Sequence, residues 1–133
     1  MNGFMGPESS SEGHPSYRGE NSFILGYRQF LLQSAIPSPS STYVFLDEHP
    51  DSINDGYFVN QADYYGWWCD LPASYHNGAA AFSFADGHAG LHKWRSTGTV
   101  QPPHPDAAVL PMYIPAGQRS DFDWVVERMS VDR

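Results

Sequence analysis

The sequence predicts an α+β domain that is mostly β, with an antiparallel sheet, a hairpin at residues 79–94 and a short C-terminal helix. Charged residues make up only 17% of the 133 residues, and 12 Gly and 11 Pro supply many turn positions. The apolar runs are short and rich in aromatic and β-branched residues. This composition favours short strands joined by turns over long helices.

The chain length suits one domain with its own apolar core. Residues 1–22 are polar and rich in Gly, Ser and Glu, which predicts a flexible N-terminal arm. Residues 23–133 then form a single domain. Its first core-forming segment is predicted at residues 23–36, and the Pro- and Ser-rich residues 37–41 end that segment.

Two strands and one helix are predicted around the hairpin. Residues 42–46 are continuous, aromatic and β-branched, which indicates a buried strand, and residues 57–59 indicate a second short one. An acidic loop joins them. Near the C-terminus, Ser120 or Asp121 is placed to cap a helix that runs to Met129.

The hairpin is predicted from the dipeptide Asp86-Gly87, which is typical of a two-residue type I′ turn. That turn pairs Ala85 with His88 and fixes the register of both strands. The face predicted to be core then consists of Phe82, Phe84, Ala89 and Leu91. The opposite face carries small or polar residues, which would let another element approach closely: Ala81, Ser83, Ala85, His88, Gly90 and His92.

The formal net charge is −8, with only seven Lys and Arg residues. Nucleic acid is therefore not expected as a partner, because binding it requires clustered cationic side chains. An acidic surface suits solubility, or attraction of cations. Cys69 is the only cysteine, so an internal disulfide is excluded. No apolar run is long enough to predict a membrane-spanning segment.

One motif is specific. Nine residues separate His76 from Asp86-Gly87, and the flanking segments Pro72-Ala73-Ser74 and His92-Lys93-Trp94 belong to the same pattern. With the segment Val44-Phe45-Leu46-Asp47-Glu48 and the terminal Asp123-Trp124, this resembles the H-X9-DG domain of prepilin-type proteins. The resemblance extends over nearly the whole chain.

The family is similar to type II secretion pseudopilins and type IV pilins. The resemblance implies a pilin-head-like fold, a location in the periplasm or at the cell surface, and other pilin-like subunits or further copies of the chain as partners. Family members begin with a hydrophobic helix that a prepilin peptidase processes, and this sequence lacks it. The chain is therefore expected to be a C-terminal fragment, or to rely on a partner for the helix. An uncovered apolar sheet face would favour association.

The motif residues are His76, Asp86, Gly87 and His88. A strand at 79–85 is roughly 20 Å long at about 3.3 Å per residue. It would hold His76 and Asp86 at opposite ends. The favoured interpretation is that Asp86-Gly87 makes the turn and that His76 fixes a loop through a local hydrogen bond. A shared metal site is the alternative.

A calcium site is predicted in the acidic loop between the first two strands, because calcium takes several oxygen ligands from flexible loops. The candidate ligands are Asp47, Glu48, Asp51, Asn54 and Asp55. The pseudopilins that the chain resembles hold calcium in a loop of the head domain. The alternative is a turn in which these side chains bond their own backbone.

The aromatic residues around Trp67 and Trp68 could stack on sugars, and the alternative is that they pack on the sheet. Asp47, Glu48 and His49 could be drawn as an acid–base set. Neighbouring residues of a strand point to opposite faces, however, and the sequence has no nucleophile motif or phosphate loop. We therefore expect a non-enzymatic assembly protein with no cofactor except calcium. The alternative is an extracellular module that binds carbohydrate or calcium.

Overall fold

A computed structural model describes residues 1–8, 11, 13–22, 24, 26–60, 66–103 and 110–131. It confirms the predicted α+β class with mostly β structure. The elements are 3-10 turns at Pro15–Arg18 and Gln33–Ala35, strands β1 (Tyr43–Leu46), β2 (Trp67–Trp68), β3 (Ala79–Phe84), β4 (Ala89–Lys93) and β5 (Met112–Tyr113), and helix α1 (Ser120–Val126). Phe23, Leu25, Tyr64, Tyr65 and residues 104–109 lie outside the described residues.

The main sheet is antiparallel and has the strand order β1-β3-β4, so β3 is central and β4 is an edge. Strands β2 and β5 form a second, two-stranded antiparallel sheet. Helix α1 packs on one face of the main sheet through Trp124, whose ring lies 5.0 Å from that of Phe82. The same helix contacts the smaller sheet, because Phe122 lies 5.0 Å from Trp68.

Strand β1 confirms the predicted strand, but only one of its faces is buried. Tyr43 pairs with Phe84 and is fully buried, and its ring packs 5.3 Å from that of Phe82. An irregularity between Tyr43 and Phe45 then shifts the register. Phe45 consequently projects from the other face and is 56% exposed, so the prediction of a strand buried throughout is wrong at this residue.

The hairpin is present, but its predicted register is wrong by one residue. Ser83 pairs with Ala89 rather than with Gly90. The amide of Phe84 donates to the carbonyl of His88, and that of Gly87 donates to Phe84, which makes a three-residue loop. Within this loop only Gly87 has a positive φ, of 96°. A turn that ends in one left-handed glycine has a three-residue loop, which is one residue longer than the predicted type I′ turn.

The one-residue shift exchanges the faces of β4 relative to β3. His92 now lies on the same face as Phe82, and its ring stacks on Trp124 with centroids 3.6 Å apart. Leu91, predicted to be core, lies on the opposite face beside Ala81 and is 66% exposed. The register therefore decides which residues of β4 are available to a partner.

The prediction of a flexible arm is wrong for the first residues of the chain. Asn2 is fully buried, and its side-chain amide donates to the carbonyls of Tyr43 and Met129, each at 2.8 Å. Its Oδ1 accepts the amide of Phe4, which is itself a core residue. A buried polar side chain with all these partners ties the segment to β1 and to the C-terminal end.

The predicted C-terminal helix is present but shorter than expected, since it ends at Val126 rather than Met129. Neither Ser120 nor Asp121 caps it, because Arg119 occupies the N-cap position. The buried Asp121 carboxylate instead accepts the backbone amides of Arg95 and Ser96, directly after β4. The residue predicted as a cap thus joins the helix to the sheet.

Candidate functional site

The motif histidine His76 contacts the start of the acidic loop. Its Nε2 lies 3.1 Å from Asp47 Oδ2, and both side chains are about half exposed. Asp47 is held beside β3, because its amide donates to the carbonyl of Ala81 and the Ala81 amide lies 3.3 Å from Asp47 Oδ2. His76 therefore joins the loop before β3 to the residue after β1.

The motif turn lies at the other end of β3, so His76 and Asp86 are separated by the strand, as predicted. Asp86 Oδ1 lies 2.6 Å from His88 Nδ1 and also accepts the His88 amide. These bonds from His88 hold the pKa of the Asp86 carboxyl below its ordinary value. The His88 ring stacks on Phe84 at 4.3 Å. These contacts stiffen the turn, and they do not bring the motif residues into one site.

Four of the five candidate calcium ligands have local partners, and each of these partners is a different residue. Glu48 accepts the Ser52 hydroxyl at 2.6 Å. Asp51 lies 3.8 Å from His49, and Asp55 accepts the amide of Tyr57. Of the remaining two, Asp47 contacts His76, and Asn54 lines a cavity. Among the described residues, no three His, Cys, Asp or Glu side chains are grouped to hold a metal.

Calcium binding by residues 47–56 thus stays a prediction that requires these side chains to exchange partners. Thermal melting with calcium and with a chelator tests it, because an ion that binds only the native state raises Tm. Equal melting temperatures would remove calcium from consideration.

Sequence reasoning missed the carboxylate of Asp70, which lines the same cavity as Asn54. A cavity of about 410 Å³ is lined by Asp55, Val59, Cys69 and Asp70, among others. Asp70 accepts the amide of Val59 at 2.6 Å, and burial raises the pKa of its carboxyl to about 6. No local pattern indicates this, because the partner amide is 11 residues away in the sequence.

The tryptophan pair proposed for ligand binding is divided between surface and core. Trp68 is 1% exposed and packs against Phe122, so no sugar can stack on it in this structure. Trp67 is 41% exposed, and its ring lies 5.3 Å from that of Tyr113, which is also exposed. Trp67 and Tyr113 are the aromatic pair that remains open to a ligand.

Among the described residues, one face of the main sheet carries no helix or second sheet, and we call it the open face. Its central rows are Phe45, Ser83 and Ala89, followed by Ala81 and Leu91. Apart from the exposed Phe45 and Leu91, these side chains are small. The side-chain oxygen of Ser83 is buried here without a hydrogen-bond partner in the described part of the chain.

The open face continues at its turn end into a groove of about 440 Å³. Phe45 and Ser83 belong to both surfaces. The far wall of the groove includes Leu31 and the 67% exposed Leu32, and Gln33 fixes that wall by donating to the carbonyl of Ala85. A connected apolar surface of this kind marks an interaction site more often than scattered exposed residues do.

Compared with known protein families, curated proteins and solved structures, the chain matches none. Within the described ranges, no helix combines the length and the apolar character that crossing a bilayer requires.

Proposed function

We propose that this chain is a non-enzymatic assembly protein, the head domain of a pseudopilin-like subunit of a secretion system or surface filament. The open face is the observation that supports the proposal best. Helix α1 covers the opposite face of the same sheet, while Phe45 and Leu91 project from the open face over Ala81 and Ala89. Because Ala81 and Ala89 are small, a helix could approach the sheet closely beside the two large side chains.

The sequence motif supports the same role. The contacts of the motif residues shape β3, because His76 fixes the loop at one end and Asp86 and His88 fix the turn at the other. On this proposal, the H-X9-DG spacing preserves the central strand on which the open face is built. The covering helix would come from another subunit or from a longer form of the chain, and the assembly would lie in the periplasm or at the cell surface.

Association of the chain tests this function. Sedimentation at increasing concentration is expected to show self-association, and fusing a hydrophobic helix to the N-terminus is expected to give ordered assemblies visible by electron microscopy. Phe45→Asp should abolish both, since it places a charge on the apolar surface. Ile53→Asp is the matched control, because Ile53 is a similarly exposed apolar residue in the acidic loop.

The role in assembly is rejected if the chain stays monomeric at high concentration and also fails to assemble with the helix fused to it. Equal effects of Phe45→Asp and Ile53→Asp would instead show that the open face is not the surface used.

Carbohydrate binding is the second candidate, and the exposed pair Trp67 and Tyr113 supports it. Aromatic rings at the surface can stack on sugar rings. A glycan array is expected to give binding that Trp67→Ala abolishes and that Tyr17→Ala, at another exposed aromatic residue, leaves unchanged. No binding to any glycan would dismiss this candidate.

A further inference from the structure

Strand β4 leaves one row of its backbone groups unpaired. The amide of Phe84 donates to His88 and that of Trp94 donates to Gly78, each at 2.9 Å. Because an antiparallel pair alternates between bonded and non-bonded positions, Gly90 and His92 also bond to β3. The amides and carbonyls of the three residues between them therefore point away from the sheet: Ala89, Leu91 and Lys93.

These three residues are exposed, and β4 has no further strand beside it in the described part of the chain. An open edge is a template for an added strand. Leu91 has an outward-facing amide and carbonyl, and so do Ala89 and Lys93, two residues before and after it. An incoming strand could therefore form a continuous ladder of hydrogen bonds along these three residues.

The side chains of the same row specify what kind of strand fits. Ala89 and Leu91 provide apolar contacts on the open face, next to Ala81. Lys93 follows two positions later, and Arg95 comes after it, and both are exposed. The edge is thus apolar at the turn end and basic at the other end.

Its charge contrasts with that of the whole chain. Lys93 is the only lysine in a protein of net charge −8, and the segment from Gly87 to Pro105 contains no Asp or Glu. A basic edge on an acidic protein attracts an acidic partner. Antiparallel pairing with a second copy, centred on Leu91, would place each Lys93 opposite Ala89, so the cations would gain no charged partner.

We propose that the β4 edge binds an extended acidic segment of another protein as an added antiparallel strand. Acidic residues at two alternate positions face Arg95 and Lys93, and apolar residues at the next two alternate positions face Leu91 and Ala89. This interaction goes beyond the assembly role and does not depend on it, because its ladder uses the outward backbone groups of β4. The side chains of Ala89 and Leu91 belong to both the edge and the open face.

The probe is a fluorescein-labelled peptide of sequence Thr-Glu-Thr-Glu-Thr-Val-Thr-Val-Thr with blocked ends. Fluorescence anisotropy is expected to show saturable binding to the full chain that weakens as salt is added. The matched control peptide has Lys in place of both Glu residues and is expected not to bind.

Leu91→Pro tests the backbone edge, because it removes an outward amide without removing a bond to β3. We expect it to weaken peptide binding at least about tenfold. Leu91→Ala keeps the amide and loses the side chain, so its effect should be clearly smaller. Lys93→Glu should weaken binding by about tenfold, whereas Arg18→Glu makes the same charge change elsewhere and should not.

Two measurements on the unchanged protein keep the test independent of whether Leu91→Pro folds. Carbodiimide cross-linking should join a peptide glutamate to Lys93, identified by mass spectrometry. Backbone amides of Ala89, Leu91 and Lys93 should gain protection from hydrogen exchange when the peptide is bound.

The proposal is overturned if the peptide does not bind, if folded Leu91→Pro binds it as well as the wild type does, or if the protected amides lie elsewhere. It is also overturned if self-association is abolished by Leu91→Pro but kept by Leu91→Ala, and the peptide does not compete with it, because a second copy would then occupy the backbone edge. Phe45→Asp should leave peptide binding unchanged, so loss of assembly and loss of edge binding can be told apart.

Discussion

The two faces of the main sheet have the same strands beneath them but opposite surroundings. On the covered face, Phe82 is 2% exposed and contacts the rings of Tyr43, Trp94 and Trp124. On the open face, Phe45 is 56% exposed. The difference shows that an aromatic residue of a strand stabilises this fold only where the chain supplies a second layer.

On the covered face, ring contacts and hydrogen bonds join α1 to the main sheet. Trp124 lies between the stacked ring of His92 and the guanidinium of Arg128, which is 4.4 Å from the centroid of the indole. Asp121 joins the same helix to the end of β4. Each face leaves one buried hydroxyl without a hydrogen-bond partner among the described residues, that of Tyr43 on the covered face and that of Ser83 on the open face. The faces therefore differ in the layer that covers them and not in their buried polar groups.

The largest expected difference between the faces is in core packing. Phe82→Ala should reduce the free energy of unfolding by about 3–5 kcal/mol, because it leaves a cavity under α1. Phe45→Ala should change that free energy by no more than about 0.5 kcal/mol. Urea unfolding measures both, and equal losses would show that the open face is covered in solution.

The next prediction concerns the link between α1 and β4. Asp121→Ala should cost about 1–3 kcal/mol, because it leaves the buried amides of Arg95 and Ser96 without an acceptor. Asp123→Ala on the same helix removes only a half-exposed pair with Arg119 and should cost about 0.3–0.5 kcal/mol. A cost for Asp123→Ala as large as that for Asp121→Ala would contradict this assignment.

Two carboxylates should give opposite pH dependences. Burial raises the pKa of Asp70 to about 6, so its contribution to stability is greatest below its ordinary pKa of 3.8 and is lost as pH rises through 6. Hydrogen bonds from His88 lower the pKa of Asp86, so its contribution is present above 3.8 and is lost as pH falls. Asp70→Asn should gain stability relative to wild type as pH rises from 3.8 to 6. Asp86→Asn should lose stability relative to wild type over the pH range in which the wild-type Asp86 carboxyl ionises.

The measurement is the unfolding free energy of both variants and of wild type, from well below pH 3.8 to above pH 6, because the change at Asp86 occurs below its ordinary pKa. Parallel pH profiles for the two variants would mean that burial does not control the pKa of the Asp70 carboxyl.

The smallest effect is expected at His92, where burial on the covered face lowers the pKa of the imidazole below its ordinary 6.5. A lowered histidine pKa favours the neutral form, so stability is present above pH 6.5 and is lost as pH falls through the folded-state value. His92→Phe keeps an aromatic ring against Trp124 and removes this titration. Its stability relative to wild type should therefore rise as pH falls, and a constant difference would contradict the assignment.

Several features could be predicted from local sequence. The strand over residues 43–46, the hairpin around Asp86-Gly87 and the C-terminal helix follow from residue types and from spacing, because turn glycines and β-branched runs act over a few residues. The separation of His76 from Asp86 follows from strand length alone. The same reasoning explains why their spacing describes a strand rather than a shared metal site.

Other features depended on contacts between distant segments. Buried Asn2 is bonded to carbonyls of β1 and of Met129. Trp67 is exposed while Trp68 is buried, and this difference requires β5 and α1. The Asp70 carboxylate accepts the amide of Val59. Each partner is far away in the sequence, so no window of neighbouring residues contains the information.

By itself, the sequence determined β1, the hairpin of β3 and β4, and the C-terminal helix, because propensity and turn chemistry are local. It predicted a strand at residues 57–59, where the structure has only an isolated bridge, and it did not predict β2 or β5. Only the tertiary structure decided which face of the hairpin is buried. One extra residue in the turn exchanges Leu91 and His92 between the faces, because side chains alternate along a strand. That exchange created the stacked histidine under α1 and placed Leu91 on the open face.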